Sequence, residues 1–138
     1  MPLLIISACS SATQVMDNNC KSPKSGTGII MMDIMHKKMH TDINNIKTEE
    51  TTTELLFNEP VTEILSDYYS RESYNNERII GEDEYKEIYS EDNPRNLIIK
   101  FTFKSIDSKE NIFLVSSIAN DYECGVRFNG YTIVKREF

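Results

Sequence analysis

What this sequence lacks narrows its chemistry before anything present is read. Glycine is scarce, at five residues, and none of the five builds a phosphate-binding loop, a dinucleotide fingerprint or a nucleophile elbow. Ser25-Gly26-Thr27-Gly28 has the outline of a phosphate loop, but it follows a polar run rather than a strand and has no terminal Lys-Ser/Thr. Three cysteines include no Cys-x-x-Cys pair, and no EF-hand loop occurs. The two histidines, His36 and His40, stand four apart, as two ligands on one helix face must. Between them lie Lys37 and Lys38, where a zinc metalloprotease places a glutamate directly after its first histidine, and ammonium groups repel a cation. An exposed pair is therefore the better reading, and neither a metal nor a cofactor is expected. Carboxylates abound, but no apolar run surrounds them to raise a pKa for acid–base work. The expectation is a protein that is not an enzyme.

Positive charge is the other shortage. The net charge is -7, and all of the excess lies in residues 48–95, with fourteen acidic residues against Arg71, Arg78, Lys86 and Arg95. Such a surface repels phosphate backbones and anionic lipid, which argues against nucleic-acid binding, and it attracts and steers a basic protein. The competing reading is an acidic segment that only keeps a small domain in solution.

A chain of 138 residues suffices for one core. Its last third reads as four antiparallel strands, 97–106, 111–118, 122–128 and 131–136. In the first of these Leu97, Ile99, Phe101 and Phe103 alternate with Ile98, Lys100, Thr102 and Lys104, the period of a strand with one face in a core. Phe128-Asn129-Gly130-Tyr131 carries the strongest short hairpin signal. A two-residue turn there pairs Phe128 with Tyr131, Val126 with Ile133 and Cys124 with Lys135.

Helices precede the strands. Ile29, Met32, Met35, Met39, Ile43 and Ile46 recur at spacings of three and four, which predicts a long amphipathic helix capped by Thr27 and lying over the sheet. Residues 48–53 are polar and β-branched, a poor helix start, and 54–57 form at most one turn. Asn58 caps a second helix, with Val61, Ile64, Leu65 and Tyr68 on its apolar face. Residues 77–80 are a candidate fifth strand. The expected class is α+β, with helices packed on a curved antiparallel sheet of four or five strands.

The acidic segment 82–92 places Tyr85, Ile88 and Tyr89 on one helical face among carboxylates. Aromatic anchors ringed by charge suit a basic partner, so Glu82, Asp83, Glu84, Tyr85, Glu87 and Tyr89 are the candidate partner-binding residues. The alternative turns the tyrosines inward.

At the N-terminus Ile6-Ser7-Ala8-Cys9 resembles the lipobox of bacterial lipoproteins, an aliphatic residue and two small ones before a cysteine. The resemblance implies cleavage before Cys9, lipid attachment at that residue, and, with Ser10 in the sorting position, residence at the periplasmic side of the outer membrane. The apolar run before it is short and carries no Lys or Arg, so residues 1–8 read as the remnant of a signal peptide. The competing reading makes 3–6 an edge strand and Cys9 a core thiol. Residues 9–28, rich in Ser, Asn, Thr, Gly and Lys, read as a tether, and 29–138 as the domain. In an oxidising compartment Cys20 and Cys124 are candidates for one disulfide or remain two free thiols.

The order of elements is also similar to the nuclear-transport-factor-2-like cone fold, which occurs in small bacterial lipoproteins. That resemblance implies a pocket lined by Phe101, Phe103, Val126, Phe128, Tyr131 and Ile133, but fold alone does not assign a function. Two functions follow as expectations. One is an envelope lipoprotein that binds a basic partner, such as an immunity protein against a delivered toxin; the other is a small-ligand or enzymatic pocket.

Overall fold

Three α-helices and four strands, with two short 3-10 turns at Ile43–Asn45 and Thr48–Glu50, follow one another along residues 20–138, the part of the chain that the computed structural model describes. The helices and strands are α1 (Gly26–Met39), β1 (Thr52–Pro60), α2 (Glu63–Asn76), α3 (Glu82–Ser90), β2 (Arg95–Lys104), β3 (Glu110–Ala119) and β4 (Arg127–Arg136). The strands form one open antiparallel sheet in the order β1-β2-β3-β4, and three helices pack against it. The class is α+β.

The alternation in β2 places its odd-numbered side chains in the core. Leu97, Ile99, Phe101 and Phe103 are buried, and on β3 Phe113 and Val115 lie beside them. Met31, Met35 and Met39 of α1 close over this face. Their spacing of four, with unbranched side chains that adapt to the rings below, makes α1 the cover of the sheet. Phe101 stacks on Phe103 with ring centroids 5.6 Å apart, and Phe113 meets Phe103 edge to face at 5.9 Å. Full burial of each large apolar side chain here contributes about 1.5–3 kcal/mol.

The first helix is shorter than the apolar spacing suggests. It ends at Met39 because His40 takes a left-handed conformation, φ 57°, as the C-cap. Its N-cap is Ser25, whose Oγ accepts from the Gly28 amide, and Thr27 lies inside the first turn, buried. Residues 20–28 are accordingly part of the packed unit, against the expectation of a tether reaching to residue 28. Cys20 is 1% exposed and bonded to Cys124 in a disulfide. Thr27 donates from Oγ1 to the Cys124 carbonyl at 3.2 Å. The backbone at Pro23 approaches Gly28 so closely that a Cβ there would stand 2.2 Å from the Pro23 carbonyl oxygen.

Two strand assignments from sequence are corrected. Asn129-Gly130 is not a turn, and the pairing of Phe128 with Tyr131 does not occur: β4 runs straight through both residues. Ser117 pairs with Phe128 and Ser116 with Gly130, which leaves Asn129 as an extra residue in the ladder. The positive φ that glycine tolerates, 138° at Gly130, serves a bulge instead of a hairpin. Continuity wins because it lets β4 pair along the length of β3, with Phe128 and Tyr131 packed against the main core. Residues 120–126 form the connection into β4, and Cys124 lies on that connection rather than in a strand.

The fourth strand is β1, where the sequence suggested a turn and the cap of a helix. Thr52 and Thr53 are β-branched, and Pro60, with no amide to donate, closes the strand at the edge of the sheet. Leu56 and Phe57 are 48% and 42% exposed, so the strand has no clean alternation to read. Arg95 fixes its end, donating from Nε to Asn58 Oδ1 at 2.7 Å and from Nη2 to the Asn58 carbonyl at 3.0 Å. Residues 77–80 form no strand.

α2 starts after Thr62, whose Oγ1 accepts from the Leu65 amide. Half of its expected apolar stripe faces outward, with Ile64 83% and Tyr68 58% exposed, while Val61 and Leu65 are half-buried. The buried stripe is Ser66, Ser70 and Ser73, each 2% exposed. These small side chains leave room for the rings of α3, and Tyr85, Tyr89 and Ile118 form a second core cluster with Tyr69, Tyr74, Val61, Ile80 and Val126 around it. Ile118 follows Ser117 on β3, so alternation puts this cluster on the opposite face of the sheet from α1.

Candidate functional site

α3 is built to present carboxylates. Glu82, Asp83 and Glu84 occupy its first turn, where the helix dipole favours negative charge. The Glu84 side chain reaches back to accept from the Gly81 amide at 3.3 Å. On its inward face Tyr85 and Tyr89, four residues apart, point at α2, each 5% exposed. The Tyr89 hydroxyl lies 2.9 Å from Ser73 Oγ, and the Tyr85 hydroxyl donates to Glu77 Oε2 at 3.1 Å. Burial, with the Glu77 carboxylate beside it, pushes the Tyr85 hydroxyl above the usual tyrosine range. Neither tyrosine is free to anchor a partner, which corrects the role expected of them.

The outward side of α3 meets the 120–126 connection across a shallow groove of about 510 Å³. Glu84, Glu87, Glu91, Asp92 and Glu123 line it around Ile80, Ile88 and Val126, with Asn120 at one side. Among the described residues no basic side chain lines it. The connection is held to the end of α3 by the Asp121 amide, which donates to the Asp92 carbonyl at 3.0 Å, and by Asn93 Nδ2, 3.4 Å from Asp121 Oδ1. Asp92 and Asn93 both take left-handed φ, 60° and 54°, which turns the chain sharply from α3 into β2.

Of the six residues expected from sequence, the groove gathers Glu84 and Glu87. Glu82 lies 3.6 Å from Arg71 Nε, Asp83 is exposed outside the groove, and the two tyrosines are internal. Glu91 and Asp92 continue the acidic run and were within reach of sequence reasoning. Glu123 was not, because only the fold brings it beside α3.

Arg127, the residue after Val126, ties β4 to α2. Its Nη2 donates to Glu72 Oε2 at 2.5 Å, Nη1 to Ser73 Oγ at 2.9 Å and Nε to Asn129 Oδ1 at 3.0 Å. The guanidinium also lies over the Tyr69 ring. Burial raises the Tyr69 hydroxyl above its ordinary value, with the Arg127 charge opposing.

The six aromatic and aliphatic residues expected to line a cone pocket are not gathered around one hollow. Phe101 and Phe103 are fully buried beneath α1, Val126 belongs to the second cluster, and Ile133 is 48% exposed. Phe128 and Tyr131 pack against the same core as Phe101 and Phe103. His36 Nδ1 lies 3.1 Å from the Thr41 carbonyl and His40 is spent as a helix cap. Among the described residues no cluster of three or more His, Cys, Asp or Glu has the arrangement to hold a metal ion, and no helix is long and apolar enough to cross a membrane. Cys9 and the lipobox-like segment lie outside the described residues.

Comparison with known protein families, with curated proteins and with solved structures gives no match to this chain.

Proposed function

We propose that this is a binding protein whose α3 groove docks a basic partner protein, with no reaction of its own. The observation that carries the reading is the composition of the groove, five carboxylates around three aliphatic side chains with no cation among them. Its floor offers apolar contact, and its rim attracts lysine or arginine and steers encounter. Anchoring falls to Ile88, which is 40% exposed, instead of to the buried tyrosines. A delivered toxin with a basic surface is one class of partner that fits, and an immunity role follows from it. The lipobox-like residues support attachment to the periplasmic side of the outer membrane through Cys9.

Salt tests the docking reading. A partner retained from envelope extract on the immobilised chain should elute early in a salt gradient, because screening beyond about 10 Å at 0.1 M weakens exposed charge contacts. Retention that is indifferent to salt overturns it. Intact mass of the protein produced from its full upstream gene tests the anchor: a diacylglyceryl increment on Cys9 is expected, and an unmodified Cys9 in the envelope fraction contradicts it.

A further inference from the structure

We propose that the Cys20–Cys124 disulfide is a redox gate on the acidic groove, holding one of its walls in place while oxidised and releasing it when reduced. The inference rests on the docking reading of that groove and adds its control.

The wall in question is the 120–126 connection, which contributes Asn120, Glu123 and Val126 to the groove. Among the described residues its apolar anchorage is limited to Val126, packed against the second cluster, and Cys124, packed against the main core. Asp121, Tyr122, Glu123 and Gly125 are exposed, Tyr122 at 81%, and Asn120 Oδ1 accepts only from the local amides of Tyr122 and Glu123. On the α3 side it is tied by the hydrogen bonds of Asp121 to Asp92 and Asn93. On the α1 side the ties among the described residues are the Thr27 hydroxyl on the Cys124 carbonyl, the packing of Cys124 against the main core and the disulfide itself. A segment with few buried apolar contacts and exposed backbone opens at low free energy once a covalent tie is removed. Glu123 is the residue next to Cys124, so movement at the cysteine carries a groove carboxylate with it.

The chemistry balances with a dithiol as reductant. Its thiolate attacks Sγ of Cys124, the more exposed of the pair, forming a mixed disulfide and expelling Cys20 as a thiolate that takes a proton. The second thiol of the reductant then displaces Cys124, which also leaves as a thiol. Two electrons have passed to the protein and the reductant has closed to its own disulfide.

The test follows hydrogen exchange of the full chain, oxidised and after dithiothreitol, alongside titration with decalysine as the cationic probe. A Cys20→Ser/Cys124→Ser variant serves as a second route to the open form. Reduction is expected to speed exchange at 120–126 by about tenfold or more and to weaken decalysine binding about threefold or more, while amides of β2 and β3 stay protected. Unchanged protection of 120–126 overturns the gate. So does unchanged affinity over a loosened loop, and so does loss of protection in β2 and β3, which makes the disulfide a staple of the whole fold. If the oxidised protein fails to bind decalysine, the docking reading itself falls and the gate with it. If it binds and reduction changes nothing, the gate alone falls.

Discussion

The guanidinium carbon of Arg127 lies 4.5 Å from the centroid of the Tyr69 ring, and the same side chain is hydrogen-bonded to Glu72, Ser73 and Asn129. One residue of β4 thereby fixes where α2 sits, and through Ser73 and Tyr89 where α3 sits. Removal leaves Glu72 without its cation and Tyr69 without its stacking partner. Arg127→Ala is expected to cost about 2–4 kcal/mol in urea unfolding. Arg127→Lys should recover less than half of this, because an ammonium has neither the planar fork nor the flat face. Full recovery by lysine contradicts the role.

Gly28 tests whether residues 20–28 belong to the domain. With the Pro23 backbone where a Cβ would go, Gly28→Ala must push the N-terminal hook away from α1. A loss of about 1–3 kcal/mol in thermal or urea unfolding is expected. A neutral or stabilising effect, as alanine gives in an ordinary helix, contradicts the packing.

Tyr89 separates fold from docking. Tyr89→Phe removes a buried hydroxyl from Ser73 and is expected to cost about 1 kcal/mol of stability while leaving affinity for the basic partner unchanged. Ile88→Asp should do the reverse, with little change in unfolding and at least severalfold weaker binding. Weaker binding by Tyr89→Phe at unchanged stability contradicts the assignment of Ile88 as the anchor.

Acid and alkali act on different parts of the molecule. Hydrogen bonding and charge from Lys104, with Lys135 beside it, hold the Glu110 carboxyl below its ordinary value, and Lys135 does the same for Glu137. A depressed carboxylate pKa adds stability above the unfolded value of about 4.3, and that stability disappears as pH falls through the folded pKa. The unfolding midpoint should therefore fall below about pH 4, and Glu110→Gln should flatten the fall. Tyr69 and Tyr85 have the opposite sign. Their raised values add stability below the unfolded pKa of about 10, lost as pH rises through the folded values, so tyrosinate absorbance should include late-titrating rings. Ordinary titration of all seven tyrosines in the folded protein contradicts their burial.

Legibility in the sequence follows burial on one face. β2 and β3 were readable because one face is buried by α1 and the other is half open, which gives clean alternation. β1 was not, because an edge strand with both faces partly wet keeps no period. α2 misled for a related reason: two stripes share its surface, and packing chose the serines, whose small size admits the rings of α3, over Ile64 and Tyr68. Asn129-Gly130 carried a local preference for positive φ that a hairpin and a bulge satisfy equally, and the pairing of β3 with all of β4 decided between them. The acidic run of α3 was plain in the sequence. Its meeting with Glu123 and Val126 was not, since it depends on where the 120–126 connection returns.

The most direct measurement of the central claim is the position dependence of charge reversal. Retention of the envelope partner is quantified by mass spectrometry on three immobilised proteins: the native chain, a Glu84→Lys/Glu87→Lys/Glu91→Lys variant, and a Glu49→Lys/Glu50→Lys variant with changes outside the groove. The groove variant should lose about tenfold or more in affinity while the distal variant changes by less than about threefold. Equal losses from both variants, or none from the groove variant, would contradict a docking site on α3.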